Sequence, residues 1–495
     1  MTFAQTSQNN TPIFLTELIW PRGDELFDKN SYAKVIDGAW PTDQNLYNTK
    51  SIMFKILSFF FIVLSLSHVA FASKVNGRLE LGSFIATEKF VDTTGGSQES
   101  DYQIFTFRSL YNVSEIGDQK YEFNSDIRDK YDFFDKLNQQ QLRLDAANTL
   151  QAQQLNFRKP VLGEEGFGWT VGRTPVPEAG SAYTDGLLVH YRFLSNWDYA
   201  VFGGLNPKIS GQTHLEWNPN TMTYGTYLSY QPKSADWNHS FFMSNAFVSQ
   251  SADNHVDRQY IYSNLSYQWE TNSRLITFFY FDMVPKFYVQ VGSVFWQQSY
   301  NERFYGKLNL LGVDAIEYVH IQNRLQQLPS SPYQQVSYAL DYRATPLVTW
   351  EVSALHGHRS IDKLDKSEYS LSMANQRSFG PNWDTQFTAG LRDNFESHDQ
   401  FGRLGIGYYS RVWESFLNLE AGVENYTQTK TVLHPLTAEL GLSRFFSKQL
   451  YLTGSVESDK NENVNILTTF FKMGYRYGNR EIPPLRDGSP TKGFL

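Results

Sequence analysis

The chain has 495 residues, no cysteine and a formal net charge of −8. Disulfide staples, thiol catalysis and thiolate metal sites are therefore excluded, and the mild acidity argues against a nucleic-acid partner, which needs a basic patch. Aromatic residues make up 16% of the chain, with 38 Phe, 30 Tyr and 11 Trp, yet the mean hydropathy is only −0.44.

Residues 1–52 carry neither a helical nor a strand period. They read as a disordered, non-native upstream extension, with the natural start at Met53. Residues 53–72, MFKILSFFFIVLSLSHVAFA, have the order of a secretory signal: Lys50 and Lys55, an apolar run from Ile56 to Val69, then Ala70-Phe71-Ala72 for the peptidase. The run is broken by Ser58, Ser65, Ser67 and His68. It is short for a membrane-spanning helix, which needs roughly 20 apolar residues. Cleavage is expected after Ala72. The first 72 residues carry five Lys or Arg and six Asp or Glu, so their loss leaves 423 residues at −7.

From residue 73 to 477 the dominant signal is period two. Leu187-Val189-Tyr191-Phe193 alternates with Leu188, His190 and Arg192. Ile261-Ser263-Leu265-Tyr267-Trp269, Val348-Trp350-Val352-Ala354, Phe387-Ala389-Leu391 and Leu404-Ile406-Tyr408 repeat the pattern. So do Leu417-Leu419-Ala421-Val423, Leu436-Ala438-Leu440-Leu442 and Leu467-Thr469-Phe471-Met473-Tyr475-Tyr477. At 180° per residue each run has one apolar face and one charged or glycine-rich face. The runs fit the roughly 9–11 tilted residues that cross a bilayer as a strand, against five or six in an ordinary soluble strand. A chain that is polar on average, aromatic-rich and strand-forming fits a transmembrane β-barrel, whose alternation hides its apolar face from mean hydropathy. A soluble sandwich or β-helix is the rival, but no repeat of fixed period is present to support a solenoid.

The expected fold is all-β: one antiparallel up-and-down transmembrane barrel over 73–477, with an even strand number of about 20, in the range of roughly 18–22. Short connectors at 195–197, 271–273, 344–346, 380–382 and 446–448 alternate with longer ones at 92–101, 130–148, 207–219 and 360–366. Residues 286–332 read either as two strands, 287–297 and 307–320, or as one long loop. Residues 478–495 read as a periplasmic tail.

A barrel of this size keeps an aqueous lumen unless something plugs it. The candidate constrictions are 130–148, 174–184 and 298–332. By parity Arg192, Arg343, Arg392, Arg403, Arg411, Lys472 and Arg476 point inward, together with Asp341, Glu351, Glu420, Glu424 and Glu439. Charged linings orient polar solutes and set ion preference. For any one of these residues the plainer reading is a solvated wall charge, so the weight lies on the set.

The block 150–193, LQAQQLNFRKPVLGEEGFGWTVGRTPVPEAGSAYTDGLLVHYRF, runs strand, turn, strand ending Val171-Gly172-Arg173, Pro/Gly loop, then Asp185-Gly186 opening the next strand. It resembles the larger Gram-negative outer-membrane porins, including alginate-export-like and phosphate-porin-like barrels, over about a tenth of the chain. The resemblance implies a channel for passive or weakly selective diffusion of small hydrophilic solutes or ions, with Arg173 and the 174–184 loop near the pore. It also implies outer-membrane lipid and the barrel-insertion machinery as partners, no cofactor, and a homotrimer as the habit of large porins, with monomer left open. The last strand resembles the assembly signal at Lys472, Gly474 and Tyr477 and departs from it at Asn479.

Two other functions stay open at this point. One is an outer-membrane hydrolase built on His356, His358, Asp362 and Asp365, or on His255 with Asp253 and Asp257, if a base stood within hydrogen-bond reach of its partner. His-Gly-His could also pair two imidazoles for a metal, although a solvated loop edge is commoner. The other is a plugged structural or adhesion barrel. No phosphate-binding glycine loop, EF-hand spacing or HExxH is present.

Overall fold

The computed structural model describes residues 74–91, 97–132, 148–207, 217–232, 240–252, 255–284, 286–314, 332–447 and 449–478. The upstream segment, the signal and the tail beyond Gly478 lie outside them, as do the middles of the 130–148 and 298–332 segments. The strands in chain order are β1 (Lys74–Val91), β2 (Ser97–Ile116), β3 (Tyr121–Asp132), β4 (Asn148–Lys159), β5 (Gly166–Val176), β6 (Ala182–Phe193), β7 (Trp197–Pro207) and β8 (Trp217–Tyr230). Then come β9 (Ser240–Ala252), β10 (His255–Glu270), β11 (Ser273–Val284), β12 (Tyr288–Ser299), β13 (Phe304–Val313), β14 (Tyr333–Arg343), β15 (Val348–Arg359) and β16 (Leu364–Gln376). The last are β17 (Trp383–Asn394), β18 (Ser397–Tyr409), β19 (Trp413–Tyr426), β20 (Val432–Leu433), β21 (Leu436–Phe445), β22 (Leu450–Lys460) and β23 (Val464–Tyr477).

All pairings are antiparallel between chain neighbours, and β1 bonds to β2 on one side and to β23 on the other. That last pairing, from Gly77 opposite Tyr477 to Phe90 opposite Val464, closes the sheet into a cylinder. β20 is a two-residue stub on the end of β19, which passes on to β21. The wall therefore has 22 strands, an even number. Residues 286–332 resolve toward the two-strand alternative, because β12 and β13 pair along Val291–Ser299 and Tyr305–Val313. The 298–332 segment is thus not one loop: 300–303 is a tight turn and only 314–332 connects β13 to β14. The 360–366 connector is likewise shorter than expected, a four-residue turn at 360–363.

The alternation seen in the sequence becomes two faces. Leu187, Val201, Val352 and Leu440 on the apolar face are 49%, 51%, 58% and 57% exposed. A sheet that turns its leucines and valines outward all around is inverted relative to a soluble fold and matches lipid as the outer solvent. Closure is what permits this, since hydrocarbon cannot satisfy an open strand edge. At the end where the chain enters and leaves the wall, ring contacts run strand to strand on the outer face: Tyr477 to Tyr111 (6.0 Å), Phe193 to Trp197 (6.4 Å), Trp197 to Tyr230 (4.7 Å), Tyr230 to Phe241 (5.7 Å) and Phe241 to Tyr267 (5.9 Å). Such an aromatic belt marks a bilayer interface.

Candidate functional site: the inner wall and its hairpin

β5 starts in the wall and ends outside it, and β6 starts outside it and ends in the wall. β5 pairs with β4 only up to Arg173, and β6 pairs with β7 only from Asp185 onward. Between these points, Thr174–Val176 and Ala182–Thr184 pair only with each other. The hairpin has left the wall. Its tip is a 3-10 turn at Pro177–Ala179, with Gly180 at φ 70°.

The bend needs room at the backbone. Gly172, Gly186 and Gly204 sit directly opposite one another on β5, β6 and β7. Gly172 has φ +112°, and a Cβ on Gly186 would overlap the carbonyl oxygen of Gly203 and the Cα of Gly204. Leaving the wall also uncovers polar backbone on β4. Asn156 Nδ2 donates to the Arg173 carbonyl (3.2 Å), and Arg173 Nη1 donates to the Ala152 carbonyl (3.1 Å). Arg173 further forms a two-point pair with Asp185 at 2.7 and 2.5 Å, both side chains 7% exposed. Arg173 thus stands at the hairpin's root, with its guanidinium committed to holding the bend closed.

Beyond the root, the hairpin lies over β7 to β11. Val176, Ala179 and Ala182 enter one buried cluster with Leu188, Ala200, Phe202, Tyr227, Ala246, Val248, Tyr260 and Tyr262. These wall residues alternate with the exposed apolar set, so the cluster lies on the inner face. Three wall hydroxyls donate to the tip's carbonyls: Ser244 to Glu178 (2.7 Å), Tyr260 to Ala179 (3.4 Å) and Tyr280 to Gly180 (2.8 Å). Depth under this layer pushes the Glu178 carboxyl above its ordinary range, and the Asp198 charge adds to the shift.

The rest of the inner face is charged. Arg192 meets Asp198 (3.2 Å), Arg392 meets Asp399 (3.0 Å) and Arg403 meets Glu420 (2.6 Å). Asp341 and Glu351 are direct cross-strand partners, and Lys307 Nζ lies 2.9 Å from each. Arg343 stacks over Tyr305 (5.0 Å), Glu424 accepts from Ser397 (3.0 Å), and Glu439 accepts from Asn418 (3.1 Å). Lys472 pairs with Glu80 (2.8 Å), and Arg476 stacks over Tyr451 (5.5 Å). Arg411 is the exception: it sits exposed in the turn between β18 and β19, not on a strand, because β18 ends at Tyr409.

An arc of charge on β1 to β4 had gone unread in the sequence. Arg108 forms a two-point pair with Asp126 (2.9 and 2.7 Å), Arg128 lies 3.5 Å from the same carboxylate, and Arg158 meets Glu122 (2.6 Å). Glu80 and Asp126 side chains are 7% and 10% exposed, while Arg128 and Arg158 are 45% and 48%. The acids lie beneath and the guanidinium groups face the interior. Parity along Arg78-Glu80-Gly82 and Glu122-Asn124-Asp126-Arg128 would have located them.

His358 meets Asp365 (2.7 Å) and His398 meets Asp393 (2.5 Å). Among the described residues no three His, Cys, Asp or Glu side chains come together as metal ligands.

No protein-family model matches the chain, and no curated protein matches it. Solved structures similar to it include OccAB4 of Acinetobacter baumannii (9% identity, 82% of this chain, 98% of that one, TM-score 0.41) and OccK9 (OpdG) of Pseudomonas aeruginosa (8%, 81%, 98%, 0.42). A BenF-like porin from Pseudomonas fluorescens Pf-5 is also similar (9%, 82%, 99%, 0.42).

Proposed function

We propose that this chain is a porin-like channel of the bacterial outer membrane, passing small hydrophilic solutes or ions by passive or weakly selective diffusion. The observation that carries the reading is the inversion of the wall: leucine, valine and aromatic rings outside, ion pairs inside, around a closed ring of 22 strands with a hairpin laid across part of the interior. A cylinder that wide holds water unless filled, and inward charge sets ion preference.

The chain reaches this location through the signal at 53–72, cut after Ala72, and through the insertion machinery that reads the last strand. Residues 1–52 are absent from the mature protein. The barrel assembles as a homotrimer and performs no catalytic step. Arg192, Asp341, Arg343, Glu351, Arg392, Arg403, Glu420, Glu424, Lys472 and Arg476 line the lumen, Arg173 holds the constricting hairpin, and Arg411 serves the turn. Reconstitution into planar bilayers tests the channel: stepwise conductance is expected, and a folded barrel that stays insulating would overturn it. Cross-linking in detergent tests the trimer.

A further inference from the structure

The outer face changes character within one step of register at the end of the wall opposite the chain's entry. Across β15 to β18, Val352, Leu371, Ala389 and Gly402 stand in one row, and Ala354, Tyr369, Leu391 and Gln400 in the next. The row beyond is His356, Ser367, Asp393 and His398. All four are polar, so this row marks where the outer face passes from hydrocarbon to water. The outward positions of β15 to β18 hold no Lys or Arg, while Asp365 and Asp393 lie among them. The local field favours a cation.

His356 and His358 belong to the strand, not to the turn after it, because β15 runs on to Arg359. Its register with β14 and β16 shifts nowhere, so both imidazoles take the same outward side. Two strand residues of about 3.3 Å rise set them about 6.7 Å apart, close enough for one nitrogen of each ring to reach an ion above the strand at about 2.0–2.1 Å. Gly357 between them turns inward, toward the Tyr333 ring. His358 Nδ1 lies 2.7 Å from Oδ1 of Asp365, its direct cross-strand partner. A carboxylate there keeps the ring proton on Nδ1 and leaves the Nε2 lone pair for a metal, the way metal-binding histidines are oriented. His356 faces Ser367, whose hydroxyl is donated to Asp393 (3.3 Å). Among the described residues no third imidazole or carboxylate closes on the pair, so the other positions of an ion are open to water.

We infer that His356 and His358 form a two-imidazole chelate on the outer rim for an exchangeable divalent transition-metal ion, with Asp365 as a positioning residue. Two neutral nitrogens completed by water suit Cu2+ first, then Ni2+ and Zn2+. They are poor hosts for Ca2+ or Mg2+, which take oxygen ligands. The site uses the outer face alone and stands or falls independently of conduction.

The probe is Cu2+ alone, titrated into the purified full chain in detergent and followed by electron paramagnetic resonance. One ion per chain should bind ahead of all others, with hyperfine structure from two nitrogens. His356→Ala should leave a barrel that runs as a folded species on heat-modifiable gels, yet weaken this ion about tenfold or more and reduce its signal to one nitrogen. Asp365→Asn should weaken it about tenfold while both nitrogens stay in the signal. His434→Ala, which removes a ring paired with Glu462 (2.6 Å) elsewhere on the same rim, should bind as the parent does. Equal affinity in the parent and His356→Ala overturns the chelate. A first ion that keeps two nitrogens in that variant, or an equal loss in His434→Ala, overturns it too.

Discussion

Releasing the hairpin should widen the channel by a definable amount, and Val176→Asp is the substitution to do it. Val176 is fully buried between hairpin and wall. Losing its burial costs about 2 kcal/mol, and an unpaired carboxylate in that layer costs several more. The three hydrogen bonds at the tip hold about 1 kcal/mol each, so the change outweighs them. Twenty-two strands spaced about 4.8 Å apart and tilted about 40° give a backbone diameter of about 44 Å. Allowing about 5 Å for lining side chains leaves roughly 900 Å² of cross-section. The hairpin covers the width of β7 to β11, four spacings or about 25 Å along the tilted wall, in a layer about 10 Å thick. That is about a quarter of the section. Single-channel conductance of Val176→Asp should rise about 1.3-fold, with added open-level noise from a loose segment. Tyr280→Phe, which removes one bond of about 1 kcal/mol, should leave conductance near the parent value. A folded Val176→Asp barrel with parental conductance and quiet openings would refute the idea that the hairpin narrows the lumen.

Gly186→Val should destabilise the root, since its side chain would collide with backbone on β7; urea unfolding in detergent should shift to lower midpoint while Gly312→Ala, with open space around its Cβ, does not. Glu178 gives a pH dependence of known sign. Its carboxyl is raised in the docked hairpin by burial and by Asp198, with Arg158 opposing, and is solvated when the hairpin is released. Docking is therefore strongest at acid pH, weakens as pH rises through the ordinary carboxylate range, and is weakest above the raised value. Open-level noise should grow with pH in the parent and lose that trend in Glu178→Gln. Arg258→Ala should cost about 3–5 kcal/mol, because it strands the fully buried Asp282 carboxylate that Arg258 holds at 2.8 Å; urea midpoints of Arg258→Ala and of Arg258→Ala/Asp282→Ala should differ, the double variant recovering part of the loss. Edman sequencing of the exported protein should begin at Ser73, and a chain still carrying residues 1–52 would overturn the signal assignment.

The barrel was legible because period two is written by lipid. Wherever one face meets hydrocarbon and the other meets water, the pattern survives, as from Leu404 to Tyr408 or Leu436 to Leu442. The strand ends were less legible. β18 ends two residues before Arg411 because the turn at 410–412 begins there, and parity carries no signal for a turn. Residues 286–332 were ambiguous for another reason: the tight turn at 300–303 is stabilised by Asn301 Oδ1 accepting from the backbone of Arg303 (2.8 Å) and Phe304 (3.0 Å), a local device that strand periodicity cannot display. Partnering was not legible at all. Parity places Arg392 or Arg476 on the inner face, but only cross-strand register tells which has a carboxylate opposite it and which has another arginine.

The hairpin did leave a trace in the sequence, in the places where alternation fails. Leu187-Leu188-Val189, Ala200-Val201-Phe202, Ala246-Phe247-Val248 and Tyr260-Ile261-Tyr262 are apolar on both faces. In a barrel with a wet lumen, an inward Leu188, Phe202 or Val248 would meet water. A strand apolar on both sides is one buried on both sides, so the inner face of these four strands requires a cover. The Pro/Gly segment 174–184 leads directly into the first of them. Its own Val176, Ala179 and Ala182 supply the matching apolar surface. Such runs lie on consecutive wall strands from β6 to β11, with β8 contributing Tyr227 and β11 contributing Phe278 and Tyr280, whose hydroxyl makes the last hydrogen bond to the tip. Converting Phe202 to Ser while keeping Val201 should loosen the hairpin without disturbing the lipid face, and an unaltered conductance and noise in that variant would break the link between lost alternation and cover.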